Sequence, residues 1–436
     1  MDVRLLLAAL PPAQEALVEA LCEGVSAEGA TLYAVGGPVR DLWLRRRVRD
    51  LDLLVEVDHA GAVERIARGL EIDGLQVVKH DRFGTFELRG AEVDLDIAIA
   101  RRETYARPGA LPTVEPATLA EDLERRDFRA NALALPLCGV EDPSRAPVEA
   151  VPGALLDLRE KRLTALHSRS FHDDPTRSLR AARLAPRLGF KLARETRSAL
   201  SDAMRDGAFG GVSGDRFRRE FEKLFSDATL GLDPVAALRL LEGWHVLGAL
   251  EPGLALPRPA LTPLRRLGRS IADPPWRFAR HRPWVSGLAL WLAELSPALR
   301  KRALDRLSVR GETAARISGF RKLRDRTIRH VSRARGRGAV DSVLGELDED
   351  QVIALHAFAA PALRRRIVRW AAEDRGRRPS LTGTDLVELG LEGDAIGRVL
   401  ARVRAAYLDG TLANREEALA LARELARRAS VRTSAR

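Results

Sequence analysis

Residues 33–56 read YAVGGPVRDLWLRRRVRDLDLLVE, and their pattern predicts the fold of the N-terminal part of the chain. The run TLYAV just before the two glycines is β-branched and aromatic, which predicts a strand. Pro38 is suited to the first turn of a helix because its missing N–H is not needed there. A second strand is expected to begin at Asp50, where Asp and Leu alternate. The predicted order is therefore strand, glycine turn, helix, strand.

The flanking sequence extends this pattern into a domain. Residues 1–30 have apolar positions at helical spacing, and residues 60–70 predict another helix. The segments FGTFEL and VDLDIAIA predict two further strands. From about Leu155 onward only helix signals recur. We therefore expect an α+β chain, with a small mixed sheet near the N-terminus and an all-helical remainder.

Composition limits the classes of protein to consider. The chain has 436 residues, of which 45% are hydrophobic and 31% charged, and no apolar run of about 18 residues predicts a membrane span. The opening MDVRLLLAAL lacks a cleavage site, so a cytoplasmic location is expected. Two cysteines without CxxC spacing disfavour a disulfide framework or a structural zinc site. The net charge of +11 points to a polyanionic partner such as nucleic acid, although a general bias towards arginine would have the same effect.

Acidic residues on the predicted strands suggest a metal site. Asp50 and Asp52 are two positions apart, so on a strand they share a face and present two carboxylates side by side. Mg²⁺ binds one or two carboxylates together with phosphate oxygens. Asp96 on another strand is a candidate third carboxylate, and Asp94 on the same face competes with it for that role. The alternative is an ordinary charged strand end.

The glycine turn predicts a phosphate site beside these carboxylates. Gly36 and Gly37 leave backbone N–H groups open at a helix start, where anions bind, and Arg40 in the helix can reach the same phosphates. Asp41 is expected to hold a neighbouring basic side chain. Together these features favour phosphoryl transfer. Neither a Walker motif nor GxGxxG occurs, which disfavours P-loop ATPases and dinucleotide dehydrogenases. A plain turn is the alternative.

Two arginine-rich segments complete the candidate site. Residues 121–135, EDLERRDFRANALAL, could equally be a solvated helix. In residues 170–190, SFHDDPTRSLRAARLAPRLGF, arginines recur every three positions after Asp174, and a carboxylate with a guanidinium can imitate the hydrogen-bonding edge of a base. A solvated arginine face is the alternative there. The pair His172 and Asp173 also fits an HD phosphohydrolase, but that reading lacks the additional ligands on helices.

These segments together resemble a known family. GGPVRD, DLD, ARRETYARPGALPTV, ERRDFRANALAL, SFHDDPTRSLRAARLAPRLGF and SGDRFRREFEKLF are similar, in this order, to the motifs of the class II tRNA nucleotidyltransferase and poly(A) polymerase family. The resemblance is strong over residues 33–225 and weak over residues 381–419, which resemble the tail of bacterial CCA-adding enzymes.

The resemblance implies a nucleotidyltransferase head in residues 1–155, a helical neck that recognises the nucleotide base in residues 156–260, and a helical body and tail that bind tRNA in residues 261–436. It implies template-independent addition of CCA to tRNA 3′ ends from CTP and ATP, with Mg²⁺ as cofactor. The resemblance implies that Asp50 and Asp52 are the metal ligands, and together with the strand candidate Asp96 they form the predicted catalytic set. It also implies that Gly37, Arg40 and Arg126 hold the triphosphate, next to Gly36 of the same turn, that Asp174 and Arg177 read the base, and that Arg180 and Arg183 support the nucleotide.

Several alternatives stay open at this level. A CC-adding or A-adding tRNA nucleotidyltransferase, or a poly(A) polymerase, would use the same chemistry. A non-catalytic RNA-binding protein would need the basic charge but not the carboxylates. The segment between Arg101 and Arg125 is close to the family's full length, which favours complete CCA addition. No obligatory protein partner is evident, and no membrane association is expected.

Overall fold

The structure is a computed structural model of the chain. It describes residues 3–433 except for residues 9, 49, 58–60, 62–64, 67–69, 71–74, 81–84, 91–93, 106, 108 and 275–277. The helix predicted over residues 60–70 lies for the most part outside the described residues. None of the described helices is long and apolar enough to cross a membrane.

The chain divides into two compact units. Unit 1 comprises Met1–Ser213 and Gly243–Leu250, and unit 2 comprises Gly214–Glu242 and Glu251–Arg436. The predicted head and the first part of the predicted neck thus share one unit. The three-part division at residues 155 and 260 stays a prediction.

Unit 1 contains a mixed sheet, a β-hairpin and short helices. Its strands are β1 Thr31–Val35, β2 Asp52–Glu56, β3 Gln76–His80, β4 Thr85–Arg89, β5 Asp94–Ile99, β6 Arg101–Thr104, β7 Thr113–Pro116, β8 Leu133–Cys138, β9 Glu149–Ala150, β10 Arg162–Leu163 and β11 Lys191–Leu192. Its α-helices are α1 Val3–Leu7, α2 Pro12–Ala27, α3 Gly37–Trp43, α4 Leu119–Glu124, α5 Ala154–Glu160, α6 Ser170–Asp173, α7 Arg177–Leu188, α8 Arg194–Arg205 and, from the second segment, Val246–Leu250.

The main sheet has seven strands in the order β3-β4-β5-β2-β1-β8-β9. Strands β2 and β5 are parallel and their register pairs Asp52 with Asp96, whereas the other neighbours in the sheet are antiparallel. Along β5 the buried Leu95 and Ile97 flank the exposed Asp96, whereas in β2 only Asp52 is exposed and Leu53, Leu54 and Val55 are all buried. Burial of Leu53 and Ile97 on one face directs Asp52 and Asp96 to the opposite face, where both reach solvent.

The predicted strand, glycine turn and helix around residues 31–43 are confirmed, but β2 begins at Asp52 rather than at Asp50. The antiparallel register ends with Ala34 opposite Leu53, and Gly36 then turns the chain away with a φ of +75°. The positions before Asp52 therefore have no strand partner on the β1 side. Asp50 lies in the exposed approach to the strand.

All the secondary-structure elements in the described part of unit 2 are helices, and the unit contains two separate apolar clusters around Trp370 and Leu386. Its α-helices are α9 Gly214–Ser226, α10 Pro234–Gly243, α11 Arg258–Ala272, α12 Pro283–Leu292, α13 Pro297–Arg306, α14 Gly311–Arg333, α15 Gly336–Leu344, α16 Glu349–Phe358, α17 Pro361–Arg369, α18 Gly383–Glu388, α19 Asp394–Leu408 and α20 Arg415–Thr433. The predicted mixed sheet followed by a helical remainder is thus confirmed, with the two-residue parallel strands β10 and β11 as an addition. Two residues are too few to produce a strand periodicity that the sequence could reveal.

Candidate active site

The carboxylates of β2 and β5 meet at the centre of the sheet. Parallel register brings Asp96 of β5 directly beside Asp52 of β2, and neighbours in register present their side chains on the same face. The register thus places Asp96, rather than Asp94, beside Asp52. All three predicted acidic residues, Asp50, Asp52 and Asp96, are exposed to solvent.

The environment of Asp52 is that of an open but partly desolvated site. Surrounding protein atoms raise the pKa of its carboxyl above the usual value, and the charges of Asp96 and Asp50 add to that rise. The charges of Arg126 and Arg180 act in the opposite direction. A cation bound beside this carboxylate would stabilise its charged form, which the neighbouring carboxylates and the partial burial disfavour.

The donor set agrees with magnesium better than with a transition metal. Within the part of the chain that the structure describes, no three Asp, Glu, His or Cys side chains converge as a ready set of ligands. The carboxylates of Asp52 and Asp96 provide only oxygen donors on an open face. Mg²⁺ is held in this way, by one or two carboxylates, with water and substrate phosphates completing its coordination.

The glycine turn lies next to the carboxylates and beneath an arginine. Gly36 is buried and has φ +75° and ψ −121°, a conformation that is accessible to glycine and strained for other residues. A Cβ built on Gly36 would lie 2.9 Å from Nη1 of Arg126, whereas one built on Gly37 would meet only Nη2 of Arg40, at 3.7 Å. The predicted triphosphate residues Gly36, Gly37, Arg40 and Arg126 are thus brought together.

The side chain of Arg40 is buried beneath the glycine turn and is held there by neighbouring side chains. It is 3% exposed, it donates from Nε to Oδ1 of Asp41 at 2.8 Å, and Nη1 donates to Oδ1 of Asn131. Burial lowers the pKa of the Arg40 guanidinium, and the charge of Asp41 opposes this effect. The expectation that Asp41 holds a basic side chain is met twice, because Arg187 also contacts its Oδ2 at 3.4 Å.

A buried carboxylate connects this arginine to helix α7. Asp127 is 4% exposed, and its Oδ1 accepts from Nδ2 of Asn131 at 3.0 Å. Its Oδ2 pairs with Nη2 of Arg180 at 2.9 Å. Burial alone would raise the pKa of Asp127, but the charge of Arg180 and the bond from Asn131 outweigh it and hold that pKa below its usual value.

The predicted base-reading residues lie at the start of α7. One carboxylate oxygen of Asp174, Oδ1, accepts from the backbone N–H and the hydroxyl of Thr176 at 3.0 and 2.6 Å. Arg177 is 5% exposed and donates to Oγ of Ser170 at 2.6 Å and to the carbonyl of Arg125 at 2.8 Å. The expected stripe of solvated guanidinium groups is therefore not a uniform surface, since Arg177 is held inside.

Comparison with known proteins agrees with this geometry. Residues 32–164 match the model of the poly A polymerase head domain. An A-adding tRNA nucleotidyltransferase of Halalkalibacterium halodurans is 30% identical over 407 residues, which cover 90% of this chain and 88% of that protein. The chain belongs to the class II tRNA nucleotidyltransferase and poly(A) polymerase family.

Other members of the family extend the comparison. An A-adding tRNA nucleotidyltransferase of Geobacter sulfurreducens is 30% identical over 414 residues, or 91% of this chain, and this chain spans 45% of its length. The solved structure of the Thermotoga maritima CCA-adding enzyme complexed with tRNA has a TM-score of 0.69 and 26% identity, and the match covers 97% of this chain and 98% of that one.

The sequence alone did not identify the side chains that orient the predicted site residues. Ser170 and Thr176 hold the predicted base-reading pair, and Asp122 holds two consecutive arginines, Arg125 and Arg126. The signal for Asp122 was available, because an acidic residue three and four positions before two arginines on a helix faces both of them. Arg183 is half-buried further along α7, and its predicted role stays a prediction.

Proposed function

We propose that the chain adds CCA to the 3′ ends of tRNA from CTP and ATP, by Mg²⁺-dependent attack of the terminal 3′ hydroxyl on the nucleotide α-phosphate with release of pyrophosphate. The observation that carries this proposal is the register that pairs Asp52 with Asp96, next to the Gly36 turn and Arg126. Such an arrangement combines a metal-binding carboxylate pair with an anion-binding turn. A cytoplasmic location belongs to the same proposal.

Each group has a distinct task in this reaction. Asp50 and Asp52 would hold Mg²⁺, with Asp96 beside Asp52 as the third carboxylate, and the ion would supply charge stabilisation for the attacking and leaving oxygens. The open N–H groups at the start of α3 and the guanidinium of Arg126 bind the triphosphate and orient it. A bond forms between the 3′ oxygen and the α-phosphorus while the bond from that phosphorus to the pyrophosphate oxygen breaks, and the proton of the 3′ hydroxyl is released to solvent. Arg40 stabilises the turn from below.

Nucleotide choice is assigned to the start of α7. The carboxylate of Asp174 accepts from exocyclic amines, and the guanidinium of Arg177 donates to ring nitrogens or carbonyl oxygens of the base. Both side chains are already oriented by Thr176 and Ser170. Orientation by fixed partners lowers the entropy lost when the base binds. Arg180 and Arg183 support the nucleotide on the same helix.

The test is extension of three tRNA substrates, ending before CCA, after C and after CC, with CTP, ATP or both. Complete CCA on the first substrate supports the proposal. Absence of any nucleotide addition to all three substrates would contradict it, and a long ladder of added A would identify a poly(A) polymerase. The RNA-binding alternative predicts binding to all three without extension.

A-adding activity is the second candidate, because the Halalkalibacterium and Geobacter relatives are both A-adding tRNA nucleotidyltransferases. This candidate predicts addition of a single A to the CC-ended substrate and no extension of the other two. A stop after CC would instead identify a CC-adding enzyme. The same gel therefore separates the complete enzyme from both partial ones.

Removal of magnesium should abolish transfer. In addition, the pH at which the rate falls on the acid limb of the pH–rate profile should depend on the Mg²⁺ concentration. Because the pKa of Asp52 is raised, its carboxyl is protonated at a higher pH than a free Asp, and the rate falls as the pH drops through that range. Mg²⁺ competes with the proton, so more Mg²⁺ shifts the limb to lower pH. The measurement is the pH–rate profile at two Mg²⁺ concentrations. An acid limb that does not move would contradict this assignment.

An exposed basic stripe on α14 is proposed as a contact to tRNA phosphates. Lys322, Arg326, Arg329 and Arg333 are all exposed and recur at helical spacing, while Phe320 and Val331 are buried. Contacts to phosphates would add affinity without reading sequence and would weaken with salt.

Replacing Arg326 and Arg329 together by Ala should raise the KM for tRNA about tenfold, leave the KM for CTP unchanged and reduce the slope of log affinity against log salt by roughly one to two. Arg145→Ala is the control, since Arg145 is 88% exposed in unit 1 and has no assigned role. Equal effects of the double variant and the control on tRNA binding would contradict the assignment.

A further inference from the structure

Asp122 is a fully buried carboxylate in the short helix α4. Its exposure is 0%, and the helix that carries it begins at Thr118 with a capping box to Glu121. The cap keeps the first turn of α4 in place, so the position of Asp122 is defined by the backbone. A charge at a buried position is costly unless it is paired and hydrogen-bonded, so the partners of this carboxylate explain its presence.

Two consecutive arginines share this carboxylate. Oδ1 accepts from Nε and Nη2 of Arg125 at 2.9 and 2.6 Å, and Oδ2 accepts from Nε and Nη2 of Arg126 at 3.2 and 2.8 Å. The backbone N–H of Arg101 approaches Oδ1 at 3.4 Å. Each guanidinium uses the edge formed by Nε and Nη2, and this fixes its plane as well as its position.

The two arginines lead to different parts of the site. Nη1 of Arg126 remains on the side of Gly36, and the charge of Arg126 acts on Asp52. The carbonyl of Arg125 accepts from Nη2 of Arg177, while its Nη1 donates to Oε1 of Glu103 at 2.8 Å. Arg126 therefore contacts the turn assigned to the triphosphate, and Arg125 contacts Arg177, the residue assigned to base reading.

We propose that Asp122 is a positioning residue that couples nucleotide selection to catalysis, by holding Arg126 over the Gly36 turn and by fixing Arg125, whose backbone carbonyl accepts from Arg177. This inference rests on the proposed function. Asp122 touches neither substrate nor metal in this account and acts through the two arginines. Its negative charge is essential, because an amide in its place would direct N–H groups at a guanidinium that can only donate.

The proposal predicts a particular pattern for Asp122→Asn. We expect the KM for nucleotide to rise about tenfold and kcat to fall about tenfold, together with more frequent incorporation of the wrong nucleotide. Arg126→Ala should impair CTP and ATP equally, because the triphosphate is common to both, and should leave the error frequency unchanged. The increase in errors is a readout that general destabilisation would not produce.

A double-mutant cycle gives the decisive comparison. If Asp122 acts in part through Arg126, the loss of kcat/KM in the variant carrying both Asp122→Asn and Arg126→Ala should be smaller than the product of the two single losses. Asp157→Asn is the matched control, since Asp157 is 1% exposed in the same unit and pairs with Arg162 at 3.4 Å. It should leave nucleotide selection unchanged. Asp122→Glu, which keeps the charge but lengthens the side chain, should show smaller changes in the same direction and serves if Asp122→Asn does not fold.

The outcomes separate the inference from the function on which it rests. Multiplicative losses in the cycle, or an unchanged error frequency in both Asp122 variants, would overturn the inference while the tRNA extension by the unaltered protein stands. Absence of extension by the unaltered protein would overturn the proposed function and this inference with it. Non-multiplicative losses with increased errors support the coupling.

Discussion

Asp52→Asn should lower the rate of nucleotidyl transfer by at least about 10³-fold while the protein remains folded. Asn has nearly the same shape but lacks the charge, so the site loses an ionic metal ligand, and loss of several kcal/mol of transition-state stabilisation corresponds to a change of this size. The side chain is exposed on the open face of β2, so the core residues Leu53 and Ile97 are not disturbed. The measurement is single-turnover addition of CTP or ATP to tRNA, with thermal unfolding recorded in parallel.

The control for this result is Asp142→Asn in the same unit. Asp142 is 46% exposed and pairs only loosely with Arg145 at 3.5 Å. Its replacement should leave the rate unchanged. If Asp52→Asn retained more than about a tenth of the rate, the role of the β2 and β5 carboxylates as a metal site would be wrong. Affinity for tRNA should be the same in both variants, since the carboxylates have no part in phosphate contacts of the helical unit.

Gly36→Ala should lower both stability and activity, for two separate reasons. The backbone has φ +75° and ψ −121°, where a residue with a Cβ is strained by about 1–3 kcal/mol. The new methyl would also lie 2.9 Å from Nη1 of Arg126 and displace the guanidinium. We expect a loss of roughly 10²-fold in kcat/KM for nucleotide, which is typical for removal of one oriented donor, together with a lower melting temperature.

Variants of two other glycines, Gly207 and Gly37, separate the effect of backbone strain from the effect of the contact with Arg126. Gly207→Ala has the same sign of φ, at +74°, but nothing lies within 4 Å of its Cβ, so it should reduce stability without changing the KM for nucleotide. Gly37→Ala introduces a methyl at an ordinary distance of 3.7 Å from Arg40 and should be mild. A Gly36→Ala protein with lower stability but unchanged kcat/KM would show that Arg126 is not confined by the turn.

Local features were predictable from the sequence, and long-range ones were not. The turn at Gly36 and the start of α3 follow from residue types that are adjacent in the chain. That Asp96 rather than Asp94 lies beside Asp52 depends on the register of two strands whose paired residues are more than 40 positions apart in the chain, and no local pattern encodes that register. The candidate residues could be named, but the choice between them required the sheet.

The burial and the pairing partners of the arginines could not be predicted from the sequence either. Spacing alone gives Arg177 and Arg180 the same face of α7, yet Arg177 is buried against Ser170 while Arg180 is 47% exposed and pairs with Asp127. Burial of a guanidinium depends on which acceptors the fold brings to it, and those acceptors are the carbonyl of the residue after α4, Ser170 in α6 and Asp127 in the loop before β8. The sequence predicted which residue types form the site, whereas the tertiary structure determines which of them are fixed and which are free to meet a ligand.

Transfer of a nucleotidyl group to tRNA can be tested with ATP labelled at different phosphates. With ATP labelled at the α-phosphate and tRNA ending in CC, we expect the label to enter the RNA in an amount equal to the pyrophosphate released, and Asp52→Asn to abolish both. ATP labelled at the γ-phosphate should leave the RNA unlabelled. Transfer of the γ-label, or release of pyrophosphate without labelled RNA, would contradict the account.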